Sequence, residues 1–307
     1  MILCCGEALI DMVPATSAQG KACFIPKAGG AVFNTAIALG RLGSDTSLYT
    51  GVSDDLFGTL LKDTLAASNV GTAHLRTMDA DSTLAFVQLT NGNASYTFYA
   101  RNTADTMLTP ADLPTAPEAK ALFFGGISLC TDPTASTLQE FMRAHSDTCL
   151  TMIDPNIRAA FIKDEASYRA RLHDMIGLAD ILKISDEDLN WLVPDSTDIA
   201  AQLAKLTNGA PKLAFVTKGA EGAVAFHGNT QIGQTAATPV TVADTIGAGD
   251  TFNAGLLHVL DTEGALSKSF ACAPDPEIVQ AALALAVRAA GITVSRTGAN
   301  PPWAREL

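Results

Sequence analysis

Short apolar runs alternate with amphipathic stretches along most of this chain. Ile2–Cys5 is an unbroken apolar run that Gly6 ends, which predicts a buried first strand. In AVFNTAIALGRLG, Val32, Ala36, Leu39 and Leu42 fall near helical spacing and Gly43 stops the pattern, so a helix is predicted over Ala31–Leu42. ALFFGG, TCLTMID, DILKIS and KLAFVTKG have the form of strands covered on both faces. PTASTLQEFMRAH, EASYRARLHDMIGLA and DIAAQLAKLT read as the helices between them. Alternation of this kind predicts an α/β fold, a mostly parallel central sheet with helices on both faces.

Two segments break the rhythm. Residues 9–26 and the stretch TLAFVQLTNGNASYTFY read as antiparallel strands, the second turning at Asn91-Gly92. Together they predict a small β-sheet projecting from the main body as a lid or a dimer surface. The last two helices are expected to begin near Asp250 and Pro276. EIVQAALALAVRAAGITV, in the second, is apolar nearly all round and is expected to be buried. With no repeat, low-complexity tract or linker, a single domain over residues 1–307 is expected, with lid segments at about 9–26 and 83–104 inserted.

Composition narrows the partners. Hydrophobic residues make up 48% of the chain, ample for a core and contrary to disorder. The formal charge of −12 argues against nucleic acid or an anionic membrane, which need a basic surface. A small anion is not excluded, because a few local donors can hold a phosphate. No apolar run reaches the roughly 20 residues of a membrane span. MILCCGEALIDMVP lacks the basic start of a secretory signal, so a cytoplasmic protein is expected. Six scattered cysteines without a C-x-x-C pair fit packed, reduced thiols.

Candidate chemistry concentrates in DTIGAGDTFNAG. Gly247, Ala248 and Gly249 precede a helical pattern in which Phe252, Leu256, Val259 and Leu260 share a face. Unpaired N–H groups at a helix start favour an anion, and small residues let a phosphoryl group approach the backbone. Asp250 then either caps the helix or accepts a proton from a hydroxyl attacking phosphorus. A cap leaves the small-residue corner unexplained. No Gly-Lys-Ser/Thr follows, so this is not a Walker A loop. No G-x-G-x-x-G joins the first strand to a helix, which argues against a dinucleotide dehydrogenase.

DTIGAGDTFNAG resembles the carboxy-terminal signature of the ribokinase-like (PfkB) carbohydrate kinases, and AGGAVFNTAIALGRLG their amino-terminal one. The resemblance covers essentially the whole chain. Within the family, GEALIDMVP, DPNIR and KISDEDLNWL are most similar to bacterial fructokinases, with 2-keto-3-deoxygluconate kinases next. It implies an ATP-dependent sugar kinase with Asp250 as general base and the backbone of Gly247, Ala248 and Gly249 as anion hole. It further implies that Asp11 holds the sugar, that Gly29 and Gly30 allow close backbone approach, and that Asn34 meets a vicinal diol. Tyr99 and Arg101 would reach down from the lid, and Arg158 would lie at the ligand-bearing edge. Either arginine suits a neutral ketose or an acid sugar, so fructose is favoured on local sequence alone.

For the nucleotide, the resemblance places Thr217, Lys218, Gly219 and Gly222 along ATP, although a plain strand–turn–hairpin would read the same. The helix from Pro276 would wall the adenine through Ala282, Ala286 and Val287. Mg²⁺ would arrive with ATP and keep several waters. Many relatives carry Asn-x-x-Glu where this chain has Ser185 and Asp188, which leaves the metal role open between Asp188 and Glu187 or reduces the segment to an acidic helix start. Asp244, the backbone of Ile246 and Gly298 match the place of a monovalent cation, K⁺ in many relatives. A homodimer through the lid is also implied. The rival from another class is a non-catalytic sugar- or nucleotide-binding regulator on the same fold.

Overall fold

Every residue of β1 (Ile2–Cys5) is buried, as a strand covered on both faces must be. The computed structural model describes residues 1–90, 93–114, 118–210 and 212–307. Next come β2 (Leu9–Thr16), β3 (Ala22–Gly29), α1 (Ala31–Leu42), β4 (Thr46–Tyr49) and β5 (Gly51–Ser53). α2 (Leu56–Ala67) leads to β6 (Arg76–Met78), β7 (Leu84–Thr90) and β8 (Asn93–Tyr99). Strand and helix then alternate through β9 (Ala121–Gly125), α3 (Thr134–His145), β10 (Leu150–Asp154), α4 (Glu165–Leu178) and β11 (Ile181–Ser185). α5 (Asp186–Leu192), α6 (Ile199–Leu206) and β12 (Leu213–Thr217) follow, then β13 (Ala223–His227) and β14 (Thr230–Thr235). Three helices finish the fold: α7 (Ala248–Thr262), the short α8 (Lys268–Cys272) that the sequence pattern did not suggest, and α9 (Pro276–Val294).

The main sheet has eight strands in the order β14-β13-β12-β11-β10-β9-β1-β4. From β4 to β12 every pairing is parallel, and β13 and β14 join antiparallel at one edge. Alternation along the strands splits the core in two. Ile2 and Cys4 face the layer of α1, α7 and α9, while Leu3 and Cys5 face α3 and α4. All six cysteines are free.

α9 corrects two expectations. Val279, Ala282, Leu283, Ala286 and Ala289 are buried, but Gln280, Ala281, Ala284 and Arg288 are exposed, so the helix is covered on one side only. An outer layer of a three-layer protein has a solvent face whatever its composition. By length and hydropathy α9 also qualifies as a membrane span, yet its inner face packs on α7. The two helices approach closely because α7 carries Gly255: a Cβ there would lie 2.6 Å from the Cα of Ala286.

The second sheet has four strands in the order β3-β2-β7-β8. β2 pairs antiparallel with β3 and parallel with β7, and β7 pairs antiparallel with β8. The expected turn at Asn91-Gly92 lies outside the described residues. Asp11 pairs with Lys27 and Ala85, and Ala85 pairs with Phe98, so these four share one face. Phe86 belongs to the other face, where its ring meets Phe24 at 5.0 Å and Tyr99 at 5.5 Å between centroids.

α1 links both ends of the structure. At its start the buried Glu7 accepts from Ala31 N at 2.9 Å and from Ser128 N at 3.1 Å, replacing the side-chain cap that Gly30 lacks. At its end Arg41 donates to Asn300 Oδ1 and to the Pro301 carbonyl, and its guanidinium lies over the Trp303 ring.

Candidate active site

α7 begins at the carboxyl edge of the parallel sheet, where α/β folds collect ligands. Gly247 is its N-cap residue, with φ 78° in the left-handed region, and a Cβ there would press to 2.8 Å against the Cβ of Ala299. Ala248 opens the helix, and no side chain caps it. Asp250 is therefore not the cap. Its carboxylate, 6% exposed, points inward and accepts from Asn34 Nδ2 at 2.9 Å.

Burial pushes the Asp250 carboxyl up from its ordinary 3.8 to about 7; the Asn34 bond opposes this, the Asp154 charge adds to it, and Lys183 and Arg158 oppose it. A base titrating near neutrality is matched to take a proton from an alcohol.

Beneath this corner lies a polar cluster that the sequence reading missed. Lys183 Nζ pairs with Asp154 Oδ2 at 2.8 Å, with side chains only 4% and 2% exposed. Asn253 Nδ2 donates to the same oxygen at 2.7 Å. Lys183 also touches the corner itself, since a Cβ on Gly249 would lie 3.1 Å from its Nζ. One signal was available: Lys183 is a charge inside the apolar run DILKIS.

Of the residues expected to meet the sugar, Asp11, Gly29, Gly30 and Asn34 assemble around the start of α1. Asp11 leans over Gly29 so closely that a Cβ on that glycine would come within 2.3 Å of its Oδ2. Burial raises the Asp11 carboxyl to about 6. Gly30, at φ 109°, turns the chain into the helix that carries Asn34 to Asp250. Tyr99 does not share the row of Asp11. It is 62% exposed and belongs to the face opposite Asp11, because strand residues alternate; Phe98 takes the inner position and packs on Phe161 with centroids 4.0 Å apart. Arg101, just beyond β8, lines a cleft of about 1020 Å³ with Phe98, Tyr99, Phe161 and Lys163, and neither Asp250 nor Asp11 is among the residues lining that cleft. Arg158 is exposed beyond β10, and its charge acts on both Asp250 and Asp188.

Of the residues expected to meet the nucleotide, Ser185 and Thr217 are register partners at the ends of β11 and β12. Ser185 Oγ caps α5 by accepting from Asp188 N at 3.0 Å. The Asp188 carboxylate accepts from Ile157 N at 3.2 Å and is raised by burial first and by Asp154 second. Glu187 is exposed. Lys218 pairs with Glu221 on the surface. Gly219 and Gly222 both have positive φ, and the Gly222 position would bring a Cβ to 2.0 Å from the Thr235 carbonyl, so the β-hairpin alone demands that glycine. Ala282 and Ala286 are fully buried in the α7-facing side of α9, so they cannot wall an adenine. Asp244 accepts from Ile246 N at 3.1 Å and Gly298 N at 2.9 Å, which brings the three predicted cation-loop residues together. Among the described residues no group of three or more His, Cys, Asp or Glu side chains is placed to hold a metal ion.

An eight-stranded, mostly parallel sheet with helices on both faces, a small added sheet and a buried acid at an uncapped helix start defines a ribokinase-like α/β protein. The sequence pattern of the pfkB family carbohydrate kinases matches residues 1–305, and the chain belongs to that family. A fructokinase of Rhizobium leguminosarum bv. trifolii is 46% identical over 269 residues, covering 87% of this chain and 82% of that protein. The ATP-bound fructokinase of Xylella fastidiosa superposes with a TM-score of 0.87 at 29% identity, covering 97% of this chain and 93% of that one. A fructokinase of Vibrio cholerae O395 in its fructose-, ADP- and calcium-bound form gives 0.85 at 26% identity, over 97% and 94%.

Proposed function

We propose that this carbohydrate kinase transfers the terminal phosphoryl group of ATP to fructose, giving fructose 6-phosphate. The observation that carries this reading is Asp250, buried, titrating near neutrality and bonded to Asn34, at the start of a helix that no side chain caps. The fructokinases among its relatives support the choice of sugar. Asp11, over Gly29, accepts sugar hydroxyls, and Asn34 aligns both sugar and base. Asp250 takes the hydroxyl proton as the sugar oxygen bonds to phosphorus; the bond to the bridging oxygen breaks and its electron pair leaves with ADP. The N–H groups of residues 247–249 meet the charge on the phosphoryl oxygens, and such positioning with electrostatic support is what phosphoryl transfer chiefly requires.

The site suits a magnesium ion that arrives with the nucleotide rather than one in a protein cage, since no cluster of three ligands is present among the described residues. Asp188 and Glu187 are the carboxylates that would face its waters, and the ion would neutralise phosphate charge. Asp244, Ile246 and Gly298 form the loop that would hold K⁺. The four-stranded sheet acts as a lid that excludes water, with Phe98 and Arg101 on the sugar side. Its outer aromatic face, Phe24, Phe86 and Tyr99, is the surface through which a homodimer would form.

The decisive experiment is Asp250→Asn assayed with ATP over a panel containing fructose and 2-keto-3-deoxygluconate. General base help is worth ~10²–10⁴ in rate, so kcat should fall on that scale with folding preserved. Turnover equal to the native enzyme refutes the assignment of Asp250, and higher kcat/KM on the acid sugar refutes fructose.

A further inference from the structure

The buried ammonium of Lys183 is the least explained charge in the molecule. It sits against Gly249 in the first turn of α7, at the positive end of that helix, where a cation is unfavourable unless an anion shares the place. An ammonium has three donors, and the structure gives Lys183 one hydrogen bond, to Asp154 Oδ2. That partner has other donors as well. Asp154 also receives Asn253 Nδ2 on Oδ2 and Asn156 N on Oδ1, at 2.7 and 3.2 Å, so it stays engaged when the ammonium turns away. Lys218 pairs with Glu221 on the surface, and Arg158 is exposed with Nη1 on the Ile157 carbonyl, so Lys183 is the buried cation at this corner. A desolvated cation with two donors unused beyond its pair with Asp154, beside an anion-accepting backbone corner, is placed to serve a second anion.

We infer that Lys183 is a further catalytic residue, which donates to the phosphoryl group in flight from below the Gly247–Gly249 corner. This rests on the phosphoryl transfer proposed above and assigns it a second source of positive charge. Lys183 keeps its proton throughout. The new bond joins the sugar oxygen to phosphorus, the broken bond releases ADP with its electron pair, and the alcohol proton goes to Asp250. As charge gathers on the three equatorial oxygens, the ammonium swings from Asp154 toward them.

The test is Lys183→Met, read in two ways. Steady-state rates on ATP and fructose should show kcat lower by ~10²–10³, the usual loss on removing one donor to a developing anion, with KM for fructose changed less than about threefold. Calorimetric binding of ADP with fructose, with and without aluminium fluoride, should show the fluoride complex weakened by a similar factor while ADP alone binds as before. A scaffold role for Lys183 would weaken both nucleotide complexes alike, and that result overturns the inference, as does kcat within tenfold of the native enzyme. Since a lone buried Asp154 can unfold the single variant, Lys183→Met/Asp154→Leu removes both charges together, and the same contrast between the two nucleotide complexes is read in it. A native enzyme that does not phosphorylate fructose removes the underlying reading instead, and the native assay shows this before any variant is made.

Discussion

The Asp250 carboxyl is set by neighbours that disagree. Burial and Asp154 oppose its ionised form, while Asn34, Lys183 and Arg158 favour it, and the outcome is a carboxyl raised to about 7. A base must be ionised to act, so kcat/KM on fructose should fall about tenfold per pH unit below that value. Asn34→Ala removes a hydrogen bond to the ionised form, so the acid limb of the profile should move to higher pH, and an unmoved limb contradicts the pairing. Stability carries the opposite sign. The folded state holds the Asp250 proton more tightly than the unfolded chain, so this group's contribution is present below about pH 4 and is lost as pH rises to about 7. Asp250→Asn should therefore melt higher than the native protein at pH 8, with the gap closing towards pH 5, by about 2–4 °C per kcal/mol recovered. Asp250, Asn34 and Asp11 were legible because each sits in a recognisable local run. Asp154, Lys183 and Asn253 were not, because their contacts join residues 29 and 99 positions apart, and only the strand order brings them together.

Among elements, α7 and α9 show how one glycine sets a helix spacing. A methyl on Gly255 would meet the backbone of Ala286 at 2.6 Å, so Gly255→Ala should destabilise by ~1–3 kcal/mol as the helices part. Gly291, in α9, has nothing within 4 Å of that position, so Gly291→Ala should stabilise by roughly 0.5–1 kcal/mol. Thermal melting of both variants checks the contrast, and equal shifts would contradict it. Helix and strand positions in this half were readable because periodicity and stop signals agree, as at Gly43 after α1. The exposed side of α9 was not: Ala281 and Ala284 are apolar by type, and composition does not say which layer a helix occupies.

For the molecule as a whole, the sequence conveyed that a small sheet exists but not how its residues divide between its faces. The family resemblance points to Tyr99, yet the pairing of Ala85 with Phe98 puts the neighbouring residue in the row of Asp11. One position changes the face, and only the register decides it. Phe98→Ala should raise KM for fructose by roughly 2–10-fold, the worth of an aromatic contact of about 0.5–1.5 kcal/mol, while Tyr99→Ala should leave it unchanged. The reverse pattern in steady-state kinetics would return Tyr99 to the sugar.

That ribbon has a consequence for how the protein can change over generations. Odd-numbered neighbours of Asp11 on β2 point one way and even-numbered ones the other. Mutations that reshape the weathered exterior around Phe24 and Tyr99 leave the row containing Asp11 untouched. If copies of the chain meet through the one face and the sugar through the other, as proposed, companionship and taste are free to drift apart within the same few strands.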